Sequence, residues 1–323
     1  MKKLIKMFLT AYNDILVKMR LIFSDLEKRL FHDPKLENLA LFRLIFCGTL
    51  FYIACWRQLN VDQFGPDSLV PREQAFGLYF DYYKPYLQLF FWPDKYAKIV
   101  HGLYIGLLGL ATIGLSNRFL MILTWVIAQG FIQRNFSVLF GADVIGNLFL
   151  FYLSFSRCHD YFSIKSLLLK KNPIKTYSQN SFLDLLSPVS MRLLQFQLMT
   201  IYAYTGFEKL KGLTWWDGTA LWTVLVNPQF TSYDLMFLRN IPIFFAIGTF
   251  ITIVFEVYFP VMVINKKTRY LWLLVGVFFH LMIGVLLDLM PFSLVMMSTY
   301  ILFVDQNTIS NILAKADKYL KRH

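Results

Sequence analysis

Eight apolar segments, separated by shorter polar stretches, constrain the fold of this chain more than any other feature of its sequence. A segment that crosses lipid must satisfy its own backbone hydrogen bonds, so a succession of such segments predicts a bundle of α-helices. Several segments are shorter than the ~20 residues of an ideal span, and the third and eighth are the weakest candidates. The segments cover residues 39–56, 99–115, 119–133, 136–155, 187–207, 241–264, 270–287 and 289–304.

The composition of the chain is that of a membrane protein. Hydrophobic residues make up 57% of the sequence and charged residues only 16%, whereas a soluble domain is ~25% charged. The mean hydropathy of +0.50 agrees with this difference. We therefore predict an all-α, polytopic integral membrane protein with about eight transmembrane helices.

The distribution of basic residues predicts the orientation of the bundle. A net charge of +12 would suggest a nucleic-acid partner in a soluble protein, but in a membrane protein it reflects basic cytoplasmic loops. With the N-terminus inside and eight alternating segments, the inside parts hold 22 Lys and Arg residues and the outside loops hold nine. This bias predicts that both termini are cytoplasmic and that Lys209 lies on the outer face.

The chain divides into three parts around these segments. Residues 1–35 carry apolar side chains at helical spacing. This spacing predicts an amphipathic helix that either lies on the membrane surface or packs on the cytoplasmic face of the protein itself. Residues 36–305 form the predicted transmembrane domain, and residues 306–323 form a basic cytoplasmic tail. The three cysteines do not form a disulfide framework, and all of them are predicted to be free thiols.

Six ionisable residues interrupt the apolar segments. Charges in lipid are costly, so such residues usually face a bundle interior or a wet cavity. Asp143 or Glu256 could neutralise Arg43 or Arg192, whereas each histidine could either hydrogen-bond a neighbouring helix or take part in catalysis. No spacing typical of a structural zinc or di-iron site is present, so no metal is predicted. The six residues are Arg43, His101, Asp143, Arg192, Glu256 and His280.

A lysine directly after the fifth segment has two candidate roles. The stretch Tyr204-Thr-Gly-Phe-Glu-Lys-Leu-Lys-Gly-Leu-Thr-Trp-Trp-Asp-Gly218 carries Lys209 close in sequence to Trp215 and Trp216. Lys209 could anchor the helix by extending its ammonium group into water. It could equally be a base that works in its neutral form. The two tryptophans are typical of the aromatic belt at a membrane interface.

Four groups of residues, in order along residues 39–304, resemble motifs of a known membrane protein family. They are Leu41-Phe-Arg-Leu44, then Asn135-Phe-Ser-Val-Leu-Phe-Gly141, then Arg192, Gln197, Tyr202, Gly206, Lys209, Leu210, Trp216 and Gly218, and finally Phe279-His-Leu-Met followed by Met290-Pro-Phe. The chain thereby resembles the HTTM proteins, whose founding member is the membrane part of vitamin K-dependent γ-carboxylase. The resemblance implies a helical membrane domain with a functional site at its outer face.

The carboxylase resemblance implies a chemical role for Lys209. The matching lysine of the carboxylase is the proposed base that deprotonates vitamin K hydroquinone, so the resemblance implies a quinone or hydroquinone cofactor. Phe136, however, stands where the carboxylase has a functionally important histidine. The chain also has no counterpart of the large lumenal domain that holds the carboxylase's protein substrate, so carboxylation of Gla proteins is not expected.

In size and layout the chain resembles the short bacterial HTTM proteins. These include the SdpB-type proteins, which are implicated in maturing a secreted antimicrobial peptide toxin. This resemblance implies a multi-pass protein of the bacterial cell membrane, surrounded by membrane lipids. It also implies a secreted peptide substrate and accessory maturation proteins as partners, and no nucleic acid.

Three classes of function are compatible with these features. The first is an enzyme that acts on a quinol or an exported peptide at the outer face. The second is a non-catalytic chaperone or immunity partner of a secreted hydrophobic peptide. The third is a small-molecule transporter, although no internal repeat supports it. For the enzyme, Lys209 and His280 are the predicted catalytic residues, and the predicted cavity residues are Glu256, Trp216, Tyr202, Arg192, Asp143 and Arg43, with Arg192 and Asp143 as an ion pair.

Overall fold

The computed structural model describes residues 36–305 apart from 66–67, 69, 91, 135–139, 165, 167–181, 229 and 232, and also residues 308–309 and 311. The amphipathic helix predicted over residues 1–35 lies outside the described residues, as do Phe136 and most of the predicted basic tail. Every regular element among the described residues is a helix, so the all-α prediction is confirmed for this part of the chain.

Eight helices of at least 9 residues form the frame of the described chain, and each overlaps one of the eight apolar segments. A 3-10 helix, Thr299–Phe303, continues the last of them, and several short helices lie in the connections. The eight are α1, Leu36–Arg57; α2, Ala97–Ile113; α3, Arg118–Arg134; α4, Gly141–Ser154; α5, Phe182–Lys209; α6, Pro242–Ile264; α7, Arg269–Leu286; and α8, Met290–Ser298.

Four stretches of the described chain are long and apolar enough to cross a membrane. They are Leu36–Arg57, Asp94–Ile113, Pro242–Ile264 and Arg269–Leu286. Two further apolar helices, Gly141–Ser154 and Met290–Phe303, are shorter. The structure therefore gives a helical membrane protein with four candidate spans in the described residues. The number of about eight spans and the cytoplasmic position of both termini stay predictions.

The hydrophobic core is centred on α1, which packs against α2 on one side and against α8 with its 3-10 continuation on another. Phe42 and Phe46 of α1 stack with their ring centroids 4.8 Å apart. Phe149 of α4 meets Phe46 edge-on at 6.1 Å. All three rings are fully buried. Such aromatic contacts add to the free energy gained by burying the rings.

Side-chain amides tie the start of α1 and the middle of α5 to the end of the last helical segment. Asn38 donates hydrogen bonds to the carbonyl oxygens of Ile301 at 2.8 Å and Val304 at 2.7 Å. Gln195 of α5 donates to the carbonyl oxygen of Leu302 at 2.6 Å. These bonds satisfy carbonyl groups that the end of a helix leaves without an intrahelical partner.

Arg43 is held at this same end of the bundle by backbone carbonyl groups. Its side chain is fully buried, and its Nη atoms donate to the carbonyl oxygens of Ala111 at 2.9 Å and Phe162 at 2.6 Å. Gly114, with φ of +77°, makes room for it, because a Cβ atom there would lie 2.4 Å from Nη1 of Arg43. The predicted pairing of Arg43 with Asp143 or Glu256 is therefore wrong. Carbonyl oxygens hold the Nη groups of this guanidinium, whereas its buried Nε has no hydrogen-bond partner among the described residues.

Candidate functional site

Lys209 and Glu256 form an ion pair between α5 and α6. The Nζ atom of Lys209 lies 2.7 Å from Oε2 of Glu256, and the two side chains are 23% and 8% exposed. Glu256 lies about 21 Å along the axis from Pro242 and about 12 Å from Ile264, since a helix rises 1.5 Å per residue. The pair is thus well inside the length of an apolar helix. The sequence places Lys209 directly after an apolar segment, whereas in the fold its side chain lies beside the middle of α6.

Gly206 brings the two helices close enough for this pair to form. A Cβ atom on Gly206 would lie 2.9 Å from the backbone nitrogen of Val257 and 3.1 Å from Cβ of Glu256. Any larger side chain would therefore push α6 away from α5. Gly206, one turn before the end of α5, thus sets the distance between Lys209 and Glu256.

The chain after Lys209 continues as two short helices, Leu213–Trp216 and Ala220–Leu225, instead of a single span. The ring of Trp215 lies 5.3 Å from Nζ of Lys209, which is within cation–π distance. Trp216 is 60% exposed, and its indole nitrogen donates to the carbonyl oxygen of Leu210 at 2.7 Å. Of the two tryptophans, Trp215 is therefore the one that covers Lys209.

Thr249 fixes this broken segment to the first half of α6. Its hydroxyl donates to the carbonyl oxygen of Gly218 at 3.3 Å and accepts the backbone N–H of Leu221 at 3.1 Å. The positive φ of Gly218, +80°, lets the chain turn there against Ala246. The segment that follows Lys209 therefore covers the α6 surface that precedes Glu256.

The ion pair can hold and move a proton between two side chains. An ammonium group has no lone pair, so Lys209 can accept a proton only after it has passed one on. The carboxylate of Glu256, at 2.7 Å, is within reach to take it. The pair can therefore act as a base whose first proton stays inside the protein.

His280 lies in a separate hydrogen-bonded cluster with two tyrosines. The hydroxyl of Tyr202 is 2.6 Å from Nε2 of His280 and 2.6 Å from the hydroxyl of Tyr300. All three side chains are buried, and Nδ1 of His280 has no hydrogen-bond partner. Tyr202 precedes Lys209 by two turns of α5, or about 10.5 Å. The two predicted catalytic residues therefore belong to neighbouring clusters that α5 connects.

Asp143 pairs with Arg57, the last residue of α1. Nη1 and Nη2 of Arg57 donate to the two carboxylate oxygens at 2.7 and 2.9 Å. The predicted ion pair between Asp143 and Arg192 is therefore wrong. Nη1 of Arg192 instead donates to Oε1 of Gln195 at 2.9 Å. Arg57 ends α1, directly after the first apolar segment, and this position is the signal that was missed.

Arg192 cannot reach Asp143 because the two residues lie at different heights in the bundle. The hydroxyl of Ser190, in the first third of α5, donates to the carbonyl oxygen of Tyr152 near the end of α4. Arg192 therefore lies at the level of Tyr152. Asp143 lies about 13 Å earlier along α4, close to where that helix begins.

The Arg57–Asp143 pair separates two cavities. One has a volume of about 540 Å³ and is lined by Tyr52, Ile53, Trp56, Arg57, Asn60, Gln63, Phe140, Ala142, Asp143, Asp288, Leu289, Pro291 and Phe292. The other, of about 30 Å³, lies behind the pair beside His101, Tyr104 and Asn147. His101 is fixed there by Gln58, whose Oε1 is 2.6 Å from Nδ1 of the ring. Of the predicted site residues, only Asp143 lines these two cavities.

A third cavity is a lipid-type groove between α6 and α7. It has a volume of about 380 Å³ and almost no polar surface, and its walls include Phe244, Phe255, Phe278 and Met282. Lys209, Glu256 and His280 line none of the three cavities. None of these three cavities therefore places a quinol ring beside Lys209. A quinone or hydroquinone cofactor stays a prediction.

The fold and these clusters define a class of protein: a helical membrane protein that keeps charged pairs inside a bundle of apolar helices. The chain belongs to the HTTM family, because the HTTM domain matches residues 31–307. The resemblance drawn from its motifs is therefore confirmed. The sporulation-delaying protein SdpB of Bacillus subtilis (strain 168) is 25% identical over 235 residues, which cover 69% of this chain and 70% of that protein. No solved structure matches the chain at a significant level.

Proposed function

We propose that this HTTM protein acts in the maturation of a secreted apolar peptide, with Lys209 and Glu256 as an acid–base pair. The observation that carries the proposal is the position of the pair, with Glu256 only 8% exposed near the middle of an apolar helix. Ionisable groups are costly at such positions and usually serve a function. The similarity to SdpB and the resemblance to peptide-maturing HTTM proteins support a peptide as the substrate.

In the proposed reaction the pair abstracts a proton from the peptide. Glu256 first takes a proton from the ammonium group of Lys209, which leaves a neutral amine on Nζ. The amine then accepts a proton from the reacting group of the peptide, and the new ammonium ion balances the negative charge left on the substrate. The ring of Trp215, 5.3 Å from Nζ, covers one side of the amine during this step. A low-dielectric surrounding strengthens the attraction between the ions that form.

A second candidate function is binding of the peptide without chemistry, as a chaperone or immunity partner would bind it. The observation that favours it is the cavity of about 540 Å³ at Arg57 and Asp143, which is of ligand size and does not contain Lys209. The two functions differ in what happens to the mass of the peptide. An enzyme changes the mass or the cleavage pattern, whereas a binding protein changes only the amount recovered.

Mass spectrometry of exported peptides, with and without the protein, tests the proposal. We expect a peptide whose mass depends on the wild-type protein, and we expect this dependence to be lost in Lys209→Arg and Lys209→Met. Arginine keeps the charge but cannot give a neutral base. Lys211→Arg is the matched control. Lys211 lies only two positions after Lys209, but it forms an exposed ion pair with Glu208.

Each unfavourable outcome removes a different part of the proposal. If Lys209→Arg is inserted, folded and as active as wild type, Lys209 is not the base. If the mass of every exported peptide is unchanged but the amount of one peptide falls, the binding function replaces the enzyme. If neither mass nor amount depends on the protein, peptide maturation itself is refuted.

A further inference from the structure

We propose that the cavity at the Arg57–Asp143 pair, here named the Arg57 pocket, binds an apolar peptide segment and recognises its backbone amides. The Arg57 pocket is defined by the walls Tyr52, Trp56, Phe140 and Phe292 and by the paired Arg57 and Asp143. Its other polar lining residues are Asn60, Gln63 and Asp288. The proposal rests on the proposed function in one respect, namely that the natural ligand is the secreted peptide. It assigns the peptide a binding place that is separate from Lys209.

The polar surface of the pocket is fixed before any ligand binds. Arg57 and Asp143 make two parallel hydrogen bonds at 2.7 and 2.9 Å. The carboxylate also accepts the backbone N–H of Phe140 at 2.9 Å, and the guanidinium lies 5.9 Å from the ring centre of Phe64. A bidentate pair of this kind has a defined geometry, so ligand groups meet donors and acceptors that are already oriented.

The chemistry of this pair favours an uncharged amide over an ion. The side chains of Arg57 and Asp143 are 19% and 11% exposed, so each presents an edge to the cavity. A ligand carboxylate or phosphate would meet the charges of Asp143 and Asp288, and a ligand ammonium would meet that of Arg57. A peptide group suits both, because its C=O can accept from the guanidinium and its N–H can donate to the carboxylate.

The walls of the pocket suit apolar side chains. Tyr52, Trp56 and Phe140 are 58%, 66% and 63% exposed, so large aromatic faces are open to a ligand. The volume of about 540 Å³ lies within the ~300–1,000 Å³ typical of ligand sites. Aromatic faces beside a few oriented polar groups are the usual makeup of such sites. The groove between α6 and α7 has almost no polar surface, so it offers no comparable pair of donor and acceptor groups for a backbone amide.

Phe292 connects this pocket to the hydrogen-bonded cluster of Tyr202, His280 and Tyr300. Its ring is part of the pocket wall and lies 5.8 Å from the ring of His280, centroid to centroid. The buried Nδ1 of His280 and Oγ of Ser293, the residue that follows Phe292, both lack hydrogen-bond partners. A peptide in the Arg57 pocket is therefore one aromatic ring away from unsatisfied polar groups of the core.

Titration calorimetry on the purified protein in detergent tests the proposal with two synthetic probes. The first is acetyl-Phe-Leu-Phe-amide, and the second is the same compound with an ester oxygen in place of the leucine N–H. We expect the ester to bind roughly tenfold or more weakly, because it cannot donate to the charged carboxylate of Asp143. The ester is less polar than the amide and enters detergent at least as readily. Unspecific uptake would therefore not make the ester bind more weakly.

Exposed tyrosines provide matched variants. Tyr52→Ala removes a pocket wall, whereas Tyr204→Ala removes a ring of similar exposure, 65% against 58%, that lies on α5 outside the pocket. We expect binding to weaken in Tyr52→Ala, Trp56→Ala and Asp143→Asn and to be unchanged in Tyr204→Ala. Because Trp56 is 66% exposed, its replacement should leave folding intact even if Asp143→Asn does not fold.

Two results would overturn the proposal. One is equal affinity for the amide and the ester, or for Tyr52→Ala and Tyr204→Ala. The other is a protein that does not bind the peptide probe but binds menadione or phosphatidylglycerol instead, with an affinity that falls in Trp56→Ala. The measurement involves no turnover, so failed binding leaves Lys209-dependent maturation standing, and an inactive Lys209 leaves the Arg57 pocket standing.

Discussion

At the scale of single residues, charged side chains inside the helices are accommodated in three different ways. Lys209 has a carboxylate partner, Asp143 has a guanidinium partner, and Arg43 is held by carbonyl oxygens alone. The sequence shows which residues must be neutralised, because any charge in an apolar segment is conspicuous. It does not show the partners, since Arg57 and Asp143 are 86 positions apart in sequence and meet only through the packing of α1 on α4.

The Lys209–Glu256 pair predicts an asymmetric effect on stability. Lys209→Met leaves a carboxylate that is 8% exposed without its partner, whereas Glu256→Gln leaves a lysine that is 23% exposed and can reach solvent. We expect Lys209→Met to cost roughly 3 kcal/mol, the low end of the range for a broken buried pair, and Glu256→Gln to cost less. Unfolding by heat or denaturant in detergent measures both values.

The double variant Lys209→Met/Glu256→Leu is the control for this prediction. Removing both charges should recover much of the stability lost in Lys209→Met, because no buried charge is left unpaired. Additive losses in the double variant would mean that the two side chains do not interact as the structure shows.

The three cysteines predict a simple pattern of thiol reactivity. All three are free, and Cys47 and Cys158 are buried while Cys55 is exposed. Burial raises the pKa of the Cys158 thiol above its usual value, so little of the reactive thiolate forms at neutral pH. We expect N-ethylmaleimide to add a single adduct, on Cys55, to the native protein and to label every cysteine after denaturation in SDS. Intact-mass spectrometry reads the number of adducts, and native labelling of Cys158 would contradict the structure.

At the scale of helices, the sequence predicted where the elements lie better than how they end. All eight apolar segments correspond to helices, because their hydrophobic runs are long and bounded by polar residues. The fifth helix, however, stops at Lys209 against the middle of α6, and the chain continues as short helices along the same neighbour. Only the close approach of α5 and α6 at Gly206 places these pieces side by side, and no local pattern carries that information.

This close approach predicts that Gly206 cannot be enlarged without cost. In Gly206→Ala the new methyl group would lie 2.9 Å from the backbone nitrogen of Val257, so α5 or α6 must shift locally to relieve this contact. We expect a loss of about 1–3 kcal/mol of stability from overpacking, together with a weaker Lys209–Glu256 contact. The melting temperature in detergent and the Lys209-dependent peptide signal measure the two effects.

Gly102→Ala is the matched control for this prediction. A Cβ atom at Gly102, within α2, would meet nothing within 4 Å. Alanine there should leave the protein as stable as wild type or more stable, since alanine favours a helix over glycine. Equal losses in the two variants would show that glycine is needed for backbone flexibility and not for the packing of α5 against α6.

At the scale of the whole molecule, two polar sites stand apart in one bundle. The Lys209–Glu256 pair lies between α5 and α6, and the Arg57 pocket lies where α1, α4 and the start of α8 meet. The cluster of Tyr202, His280 and Tyr300 lies between them. Helix α5 joins this cluster to the Lys209–Glu256 pair, and Phe292 joins it to the Arg57 pocket. The motifs of the HTTM family include Lys209, Tyr202 and His280, and they also include Phe140 and Phe292 of the pocket wall. They do not include Glu256 or Arg57, so sequence reasoning found only part of the arrangement.

The orientation of the bundle predicts opposite accessibility at the two ends of α6. Arg239 and Lys267 flank this helix and are both exposed. Its 23 residues span about 34 Å, which exceeds the ~30 Å of a hydrocarbon core. Because basic residues accumulate in cytoplasmic loops, Lys267 should lie inside and Arg239 outside. With Cys55→Ser removing the exposed thiol, a membrane-impermeant maleimide should label Arg239→Cys in intact spheroplasts. Lys267→Cys should react only after permeabilisation. The reverse pattern would invert the topology and contradict the predicted position of Lys209 on the outer face.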